Sequence, residues 1–179
     1  MDYLHAGWRM SQPPGVGGDG RPHADIAPVD GQSLFEAIEQ ADRPDSETYI
    51  LARRPLTFAI LNVFPYTPGH LMVLPRRAAP SVVDLDPDTY RELWELVLEA
   101  TVAMKAALRP QGINIGLNEG TAGGGSVPDH LHVHVVPRWS ADTNFMTTVA
   151  DARVLPVSLA SAWELLRHNW PAGPGGGGR

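Results

Sequence analysis

Apolar and polar positions change period several times along the chain, and each change marks an element. Ser33-Leu34-Phe35-Glu36-Ala37-Ile38 opens a short helix, with Ser33 as N-cap and Glu36, three residues on, as its capping-box partner. Residues 49–52 and 57–63 (TFAILNV) are apolar and β-branched, which suits a pleated, half-buried surface, so both read as strands. Phe64-Pro65-Tyr66-Thr67-Pro68-Gly69 has the composition of a turn, and residues 70–74 resume a strand, predicting an antiparallel hairpin. Asp86-Pro87-Asp88 opens the longest helix: Pro87 suits the first turn, and the carboxylates suit the positive end of the dipole. Leu93, Trp94, Val97, Leu98, Thr101, Met104, Ala107 and Leu108 fall near helical spacing and predict one apolar face, until Pro110 and Gly112 stop the helix. Residues 113–117 (INIGL) read as a strand, 118–128 as a glycine-rich loop, 130–136 as a strand and 158–170 as a C-terminal helix. The predicted class is α+β, an antiparallel sheet crossed by one long helix whose apolar face suits an internal core or a partner chain equally.

Composition sets the boundaries. Residues 12–31 are dense in Gly, Pro and Asp and too poor in apolar side chains to offset the entropy of ordering. Residues 171–179 are almost all Pro and Gly. The expected organisation is an N-terminal extension and linker over 1–32, one folded domain over 33–170, and a flexible tail over 171–179. A net charge of -6 argues against a broad basic face for nucleic acid, but still allows a locally positive site for a small anion. The absence of cysteine excludes disulfides, thiolate metal sites and a cysteine nucleophile. No apolar run approaches the roughly 20 residues that span a bilayer. Residues 1–11 lack the apolar core of a signal peptide, so a cytoplasmic protein without a membrane partner is expected.

The candidate chemistry lies in His130-Leu131-His132-Val133-His134-Val135-Val136, which holds three of the chain's seven histidines. Strand alternation turns the three imidazoles to one face, about 7 Å apart, and Leu131, Val133 and Val135 to the other. Imidazole titrates near neutral pH, so such a row can attack, move protons or bind anions. Three readings compete. One is a half-buried strand whose polar face happens to be histidine. A second is zinc, since His-x-His can offer two nitrogens to one ion; Asp129, however, points to the opposite face, and the third imidazole lies far along the strand. The third is nucleophilic catalysis at phosphorus. The preceding loop, Gly120-Thr121-Ala122-Gly123-Gly124-Gly125-Ser126, favours it, because glycine exposes main-chain amides in the way that cradles phosphate, and Thr121 and Ser126 add hydroxyls.

The form His-φ-His-φ-His-φ-φ resembles the signature of the histidine triad nucleotide hydrolases and transferases. Asn62 to Pro75, containing Gly69-His70, is similar to that family's upstream strand pair. Gly112-Ile113-Asn114-Ile115-Gly116-Leu117-Asn118, followed by Gly124-Gly125-Ser126, is a third matching block. The resemblance covers about residues 33–170. Pro137-Arg138-Trp139 and Asp142-Thr143-Asn144-Phe145 resemble the actinobacterial branch that includes diadenosine tetraphosphate phosphorylases.

The resemblance implies distinct roles for the histidines. His132 would attack the α-phosphate of a nucleotide and form a nucleotidyl-histidine. His134 would contact the phosphate and manage the leaving group's proton, His130 would orient His132 through a hydrogen bond, and His70 would complete the cluster. Ser126 and the amides of Gly124 and Gly125 would hold phosphate oxygens and stabilise the charge that builds there. Asn118 would stand at the same mouth and Asn62 would contact the ribose. Phe35, Ile38 and Leu61 would wall the base, or serve as ordinary core.

The implied reaction is phosphorolysis of a dinucleoside polyphosphate with inorganic phosphate as acceptor. Hydrolysis of dinucleoside polyphosphates, nucleoside phosphoramidates or acyl-nucleotides stays open, as does recruitment to a biosynthetic pathway. A non-catalytic nucleotide-binding protein is a further reading, against which the intact triad counts. No metal is needed for the covalent step, though magnesium can accompany a polyphosphate, and a homodimer through the long helix and adjoining strand is implied. Many relatives carry Cys-x-x-Cys near the N-terminus as half of a zinc site; here Ser33-Leu34-Phe35-Glu36 stands in that place, so no such site is expected. Relatives in the branch run from a tryptophan-rich segment into Arg-Met-Asp-Tyr-Leu, which implies that Met1-Asp2-Tyr3-Leu4 falls inside that segment.

Overall fold

The hairpin around Pro65 and Gly69 forms the centre of a five-stranded sheet. The computed structural model describes His23, residues 25–140, Asp142 and residues 157–172. In chain order the elements are α1 (Leu34–Gln40), α2 (Asp45–Thr48), β1 (Ile50–Arg53), β2 (Thr57–Leu61), β3 (Leu71–Pro75), a 3-10 turn (Val82–Asp84), α3 (Pro87–Leu108), β4 (Gly112–Leu117), β5 (Val133–Arg138) and α4 (Leu159–His168). The strand order is β1-β2-β3-β5-β4, and every neighbouring pair is antiparallel. The α+β class is as expected. The four-residue α2 and the 3-10 turn escaped the sequence reading because neither is long enough to show a period. Most of the linker and tail, and residues 143–145 of the branch motif, lie outside the described residues.

The pleat divides the sheet's side chains into two cores. Ala59, Leu61, Leu71, Val73, Leu131, Val133 and Val135 face α3, where Leu93, Leu96, Val97, Ala100 and Met104 meet them. Phe58, Ile60, Met72 and Leu74 face the other way and pack under Phe35 and Ile38 of α1. α4 closes the β1 end: Leu166 is fully buried, Trp163 Nε1 donates to the Ile50 carbonyl at 2.9 Å, and Arg167 donates to the Leu51 carbonyl at 3.0 Å. These acceptors lie where the register between β1 and β2 shifts. Among the described residues no helix is long and apolar enough to cross a membrane.

α3 departs from its prediction in one respect. Asp86 caps it as expected, its carboxylate accepting from the amides of Asp88 and Thr89. The buried face, however, is Thr89, Leu93, Leu96, Val97, Ala100, Ala103 and Met104. Trp94 and Leu98, assigned to that face from spacing, belong with Tyr90 and Val102 to a second stripe four residues apart, and Leu98 is 64 % exposed. The two stripes adjoin on the helix surface, so spacing alone merged them.

The last strand also starts later than alternation suggested. The ladder of β5 begins at Val133, paired with Leu117 on one side and Val73 on the other. His130, Leu131 and His132 precede it in extended chain, and only His134 of the three histidines lies within the strand.

Candidate active site

The register brings the histidines together from two strands. Met72 stands opposite His134, and Leu71 opposite both Leu61 and Val135. Side chains that pair in register share a face, so Asn62, His70, Met72, His132 and His134 lie on the face that carries α1. The β4–β5 ladder ends with Leu117 opposite Val133, so Asn118 and His132 both lie one residue beyond that end of it. His70 and His130 are fully buried and His132 is nearly so. The rings of His132 and His134 lie 4.9 Å apart, and those of His134 and His70 5.1 Å apart.

The hydrogen bonds assign protons to individual nitrogens. His132 Nδ1 lies 2.8 Å from the His130 carbonyl. A carbonyl only accepts, so Nδ1 carries the proton and Nε2 of the neutral ring keeps its lone pair. The amide of Tyr66 donates to His70 Nδ1 at 3.1 Å, so His70 bears its proton on Nε2. That proton points at His134 Nδ1, 3.0 Å away. His134 Nδ1 is then an acceptor, and the proton of its neutral ring is on Nε2. Two adjacent imidazoles thus differ: His132 presents a lone pair at Nε2, and His134 a proton. Burial pushes the pKa of His132 below its ordinary value, which keeps the lone pair available at neutral pH.

The hydrogen bond expected between His130 and His132 is present, and it runs through the main chain of His130. Its ring makes no hydrogen bond to His132. Nε2 donates to the Pro75 carbonyl at 2.8 Å, and Nδ1 meets Ser33 Oγ at 2.6 Å. It is the main-chain carbonyl of His130 that holds His132. Burial also holds His130 below its ordinary pKa, although the Pro75 bond and the charge of Glu36 oppose it. A neutral ring with its proton on Nε2 accepts from the Ser33 hydroxyl.

Aromatic rings line the cluster. Phe35 packs 5.5 Å from the ring of His130 and 5.6 Å from that of His132. Tyr66 lies over His70 at 4.6 Å. Phe35 and Ile38 are buried in the smaller core, and Phe35 packs against two of the imidazoles from there. Leu61 belongs to the α3 core on the opposite face of the sheet and cannot wall a base held at the histidines. Ile60 is its neighbour on the site face; one step along a strand reverses the direction. Asn62 sits by His70, its Nδ2 3.4 Å from His70 Nδ1, and its Oδ1 accepts from the Phe64 amide.

The glycine loop is organised around itself. The amides predicted to hold phosphate are committed within it: Gly124 donates to the Thr121 carbonyl at 3.0 Å and Gly125 to the Gly120 carbonyl at 3.1 Å. The positive φ angles of Gly120 and Gly124 make these tight turns possible. A Cβ on Gly123 would run into the Glu119 carbonyl. Glu119 Oε1 accepts from Ser81 Oγ at 3.1 Å and from the Val82 amide at 2.7 Å, tying the loop to the 3-10 turn. Ser126 lies exposed at the loop's end, ahead of the histidines.

A model of the HIT domain matches residues 43–141 of the chain. The chain belongs to the histidine triad (HIT) family. It is 44 % identical over 130 residues to a protein of Mycobacterium tuberculosis named AP-4-A phosphorylase, covering 73 % of this chain and 67 % of the relative. It is 36 % identical over 93 residues to the asymmetrical bis(5'-nucleosyl)-tetraphosphatase of Schizosaccharomyces pombe, covering 52 % of this chain and 50 % of that one. Among solved structures, a zinc-bound histidine triad protein from Mycobacterium smegmatis superposes with a TM-score of 0.63 at 28 % identity, over 77 % of this chain and 92 % of that one. With relatives named as phosphorylase and tetraphosphatase, this HIT protein is an enzyme.

The zinc of the M. smegmatis protein prompts a test of fit at Ser33 and Glu36. Glu36 turns its carboxylate to the amides of Ser33, at 2.8 Å, and Ala78, at 3.0 Å, while Ser33 Oγ is engaged with His130. A hydroxyl and a carboxylate so committed do not make the thiolate pair that suits structural zinc. Among the described residues no three His, Cys, Asp or Glu side chains are grouped to hold a metal ion. Sequence reasoning found the capping box but missed its bond to His130, and it missed Tyr66 and Pro75 altogether. The capping signal is local, whereas the bonds to His130 span 97 and 55 residues.

Proposed function

We propose that this HIT protein is a nucleotidyl transferase that cleaves dinucleoside polyphosphates, diadenosine tetraphosphate among them, with inorganic phosphate as acceptor. His132 Nε2 attacks the α-phosphorus, a P–N bond forms, and the bond from phosphorus to the polyphosphate oxygen breaks. His134 Nε2–H gives its proton to the departing oxygen. An oxygen of inorganic phosphate then attacks the nucleotidyl-histidine, the P–N bond breaks to free His132, and the proton given up by the attacking phosphate returns to His134 Nε2. From diadenosine tetraphosphate the products are ATP, as leaving group, and ADP. The observation that carries this reading is that the partners of the two Nδ1 atoms leave Nε2 with a lone pair on His132 and with a proton on His134, in rings 4.9 Å apart. A nucleophile and an acid are both needed for the first step.

Asn62 beside His70, Asn118 just past the end of β4, and Ser126 at the loop are the polar side chains suited to the nucleotide's sugar and phosphates. No metal takes part in the covalent step; magnesium enters only with the polyphosphate. The reaction suits the cytoplasm. The functional unit is a homodimer: β4 is an edge strand of the described sheet with Ile115 46 % exposed, and α3 carries the exposed stripe of Tyr90, Trp94, Leu98 and Val102. Hydrolysis is the second reading, favoured by the fission-yeast relative's name. The test is product analysis with diadenosine tetraphosphate in the presence of phosphate. ADP plus ATP, lost in His132→Ala, is expected. AMP plus ATP under the same conditions would give the acceptor role to water, and unchanged turnover by His132→Ala would remove the covalent histidine.

A further inference from the structure

His130 and His132 lie ahead of the β5 ladder, which first pairs at Val133. Sheet hydrogen bonds therefore do not set the position of the attacking imidazole. Other contacts hold this stretch. The Leu131 amide donates to the Ala79 carbonyl at 2.7 Å. The ring of His130 is clasped at both nitrogens, by Pro75 and by Ser33. Ser33 is itself fixed, since its Oγ accepts from the Glu36 amide at 3.1 Å and its own amide donates to Glu36 Oε2 at 2.8 Å. The other oxygen of Glu36 takes the Ala78 amide, one residue before the carbonyl that holds Leu131. One capping box thus reaches the 130–132 segment by two routes.

We propose that Ser33 and Glu36 are positioning residues for His132, acting through the ring and main-chain carbonyl of His130. A ring held at both nitrogens cannot turn without leaving a buried polar atom unpaired, so it fixes the peptide whose carbonyl accepts from His132 Nδ1. Ser33, as hydroxyl donor to Nδ1, also keeps the proton of His130 on Nε2. The carboxylate of Glu36 feels opposing influences: burial raises its pKa, but the amides of Ala78 and Ser33 outweigh it and keep it ionised. The clasp occupies the place where the resemblance puts half of a zinc site, and it orders that place with hydrogen bonds. Its catalytic consequence rests on His132 as the nucleophile.

The test separates capping from positioning. Glycine is nearly as good an N-cap as serine, so Ser33→Gly keeps α1 and removes the hydroxyl. Ser33→Thr keeps both. Glu36→Gln keeps the side chain's length and loses one acceptor. Ring 15N shifts of the histidine-labelled full chain report tautomers without substrate. The wild-type chain is expected to show Nε2–H at His130 and Nδ1–H at His132. In Ser33→Gly both become mixtures, and in Glu36→Gln they shift part-way. The kcat of Ser33→Gly on diadenosine tetraphosphate falls about tenfold or more with KM nearly unchanged, and Ser33→Thr restores both readouts. A folded Ser33→Gly chain with wild-type tautomers overturns the proposal, whether or not kcat falls. If wild-type chain shows the expected tautomers, lost in Ser33→Gly, but no turnover, the clasp stands and the substrate assignment fails.

Discussion

Lowering the pH from about 7.5 to about 5.5 is expected to destabilise this protein through the buried histidines of its own site. Burial holds both His130 and His132 below their ordinary pKa. Above about pH 6.5 each is neutral in the folded and the unfolded chain, and pH has no leverage through them. Below it the unfolded chain binds protons that the folded chain refuses, so stability falls as pH falls, until the folded pKa is reached. If both rings stay neutral in the folded chain over this interval, each contributes up to about 1.4 kcal/mol and the pair up to about 2.7 kcal/mol. His23, also lowered by burial, adds in the same direction. The lowered carboxylates of Glu36 and Asp86 act in the same sense, but around pH 4 and below. Urea unfolding at several pH values measures the loss, and a His132→Asn chain should lose about half of the two-ring share. A stability constant to within about 0.5 kcal/mol across this range would refute the argument, because it would mean that the rings accept protons in place.

Three other outcomes follow from particular contacts. Leu61→Ala should cost about 2–5 kcal/mol in urea unfolding, with KM unchanged, since Leu61 is buried against α3 on the far face; a raised KM without loss of stability would return it to the site. Gly69→Ala should cost about 1–3 kcal/mol in thermal unfolding, because φ is +84° there and a Cβ would meet Leu108 Cδ1; no change in melting temperature would refute the predicted strain. A chain carrying both Trp94→Glu and Leu98→Glu should remain folded and run as a monomer by light scattering beside a dimeric wild-type chain; a wild-type monomer would remove the proposed assembly.

Much of this protein is legible along its sequence. Apolar β-branched runs marked the strands, Asp86-Pro87 marked the start of α3, and Ser33 with Glu36 marked the cap of α1. The spacing of His130, His132 and His134, with the glycine loop ahead of them, singled out the site. These signals are local: each depends on residues within a few positions of one another, where backbone geometry decides which face a side chain takes. The tertiary structure decided the rest. Leu61 and Ile60 are equally apolar, and only the packing of α3 against one face and α1 against the other separates core from site. Trp94 and Leu93 are adjacent on α3, and only the sheet beneath shows which is buried. The glycine amides looked open to an anion until the loop's own carbonyls took them. Above all, three similar imidazoles became different from one another because Ser33 and Pro75, the His130 carbonyl and, through His70, the Tyr66 amide determine which nitrogen holds each proton. Alternation orders side chains by face; a proton's place on a ring depends on partners that only folding brings near.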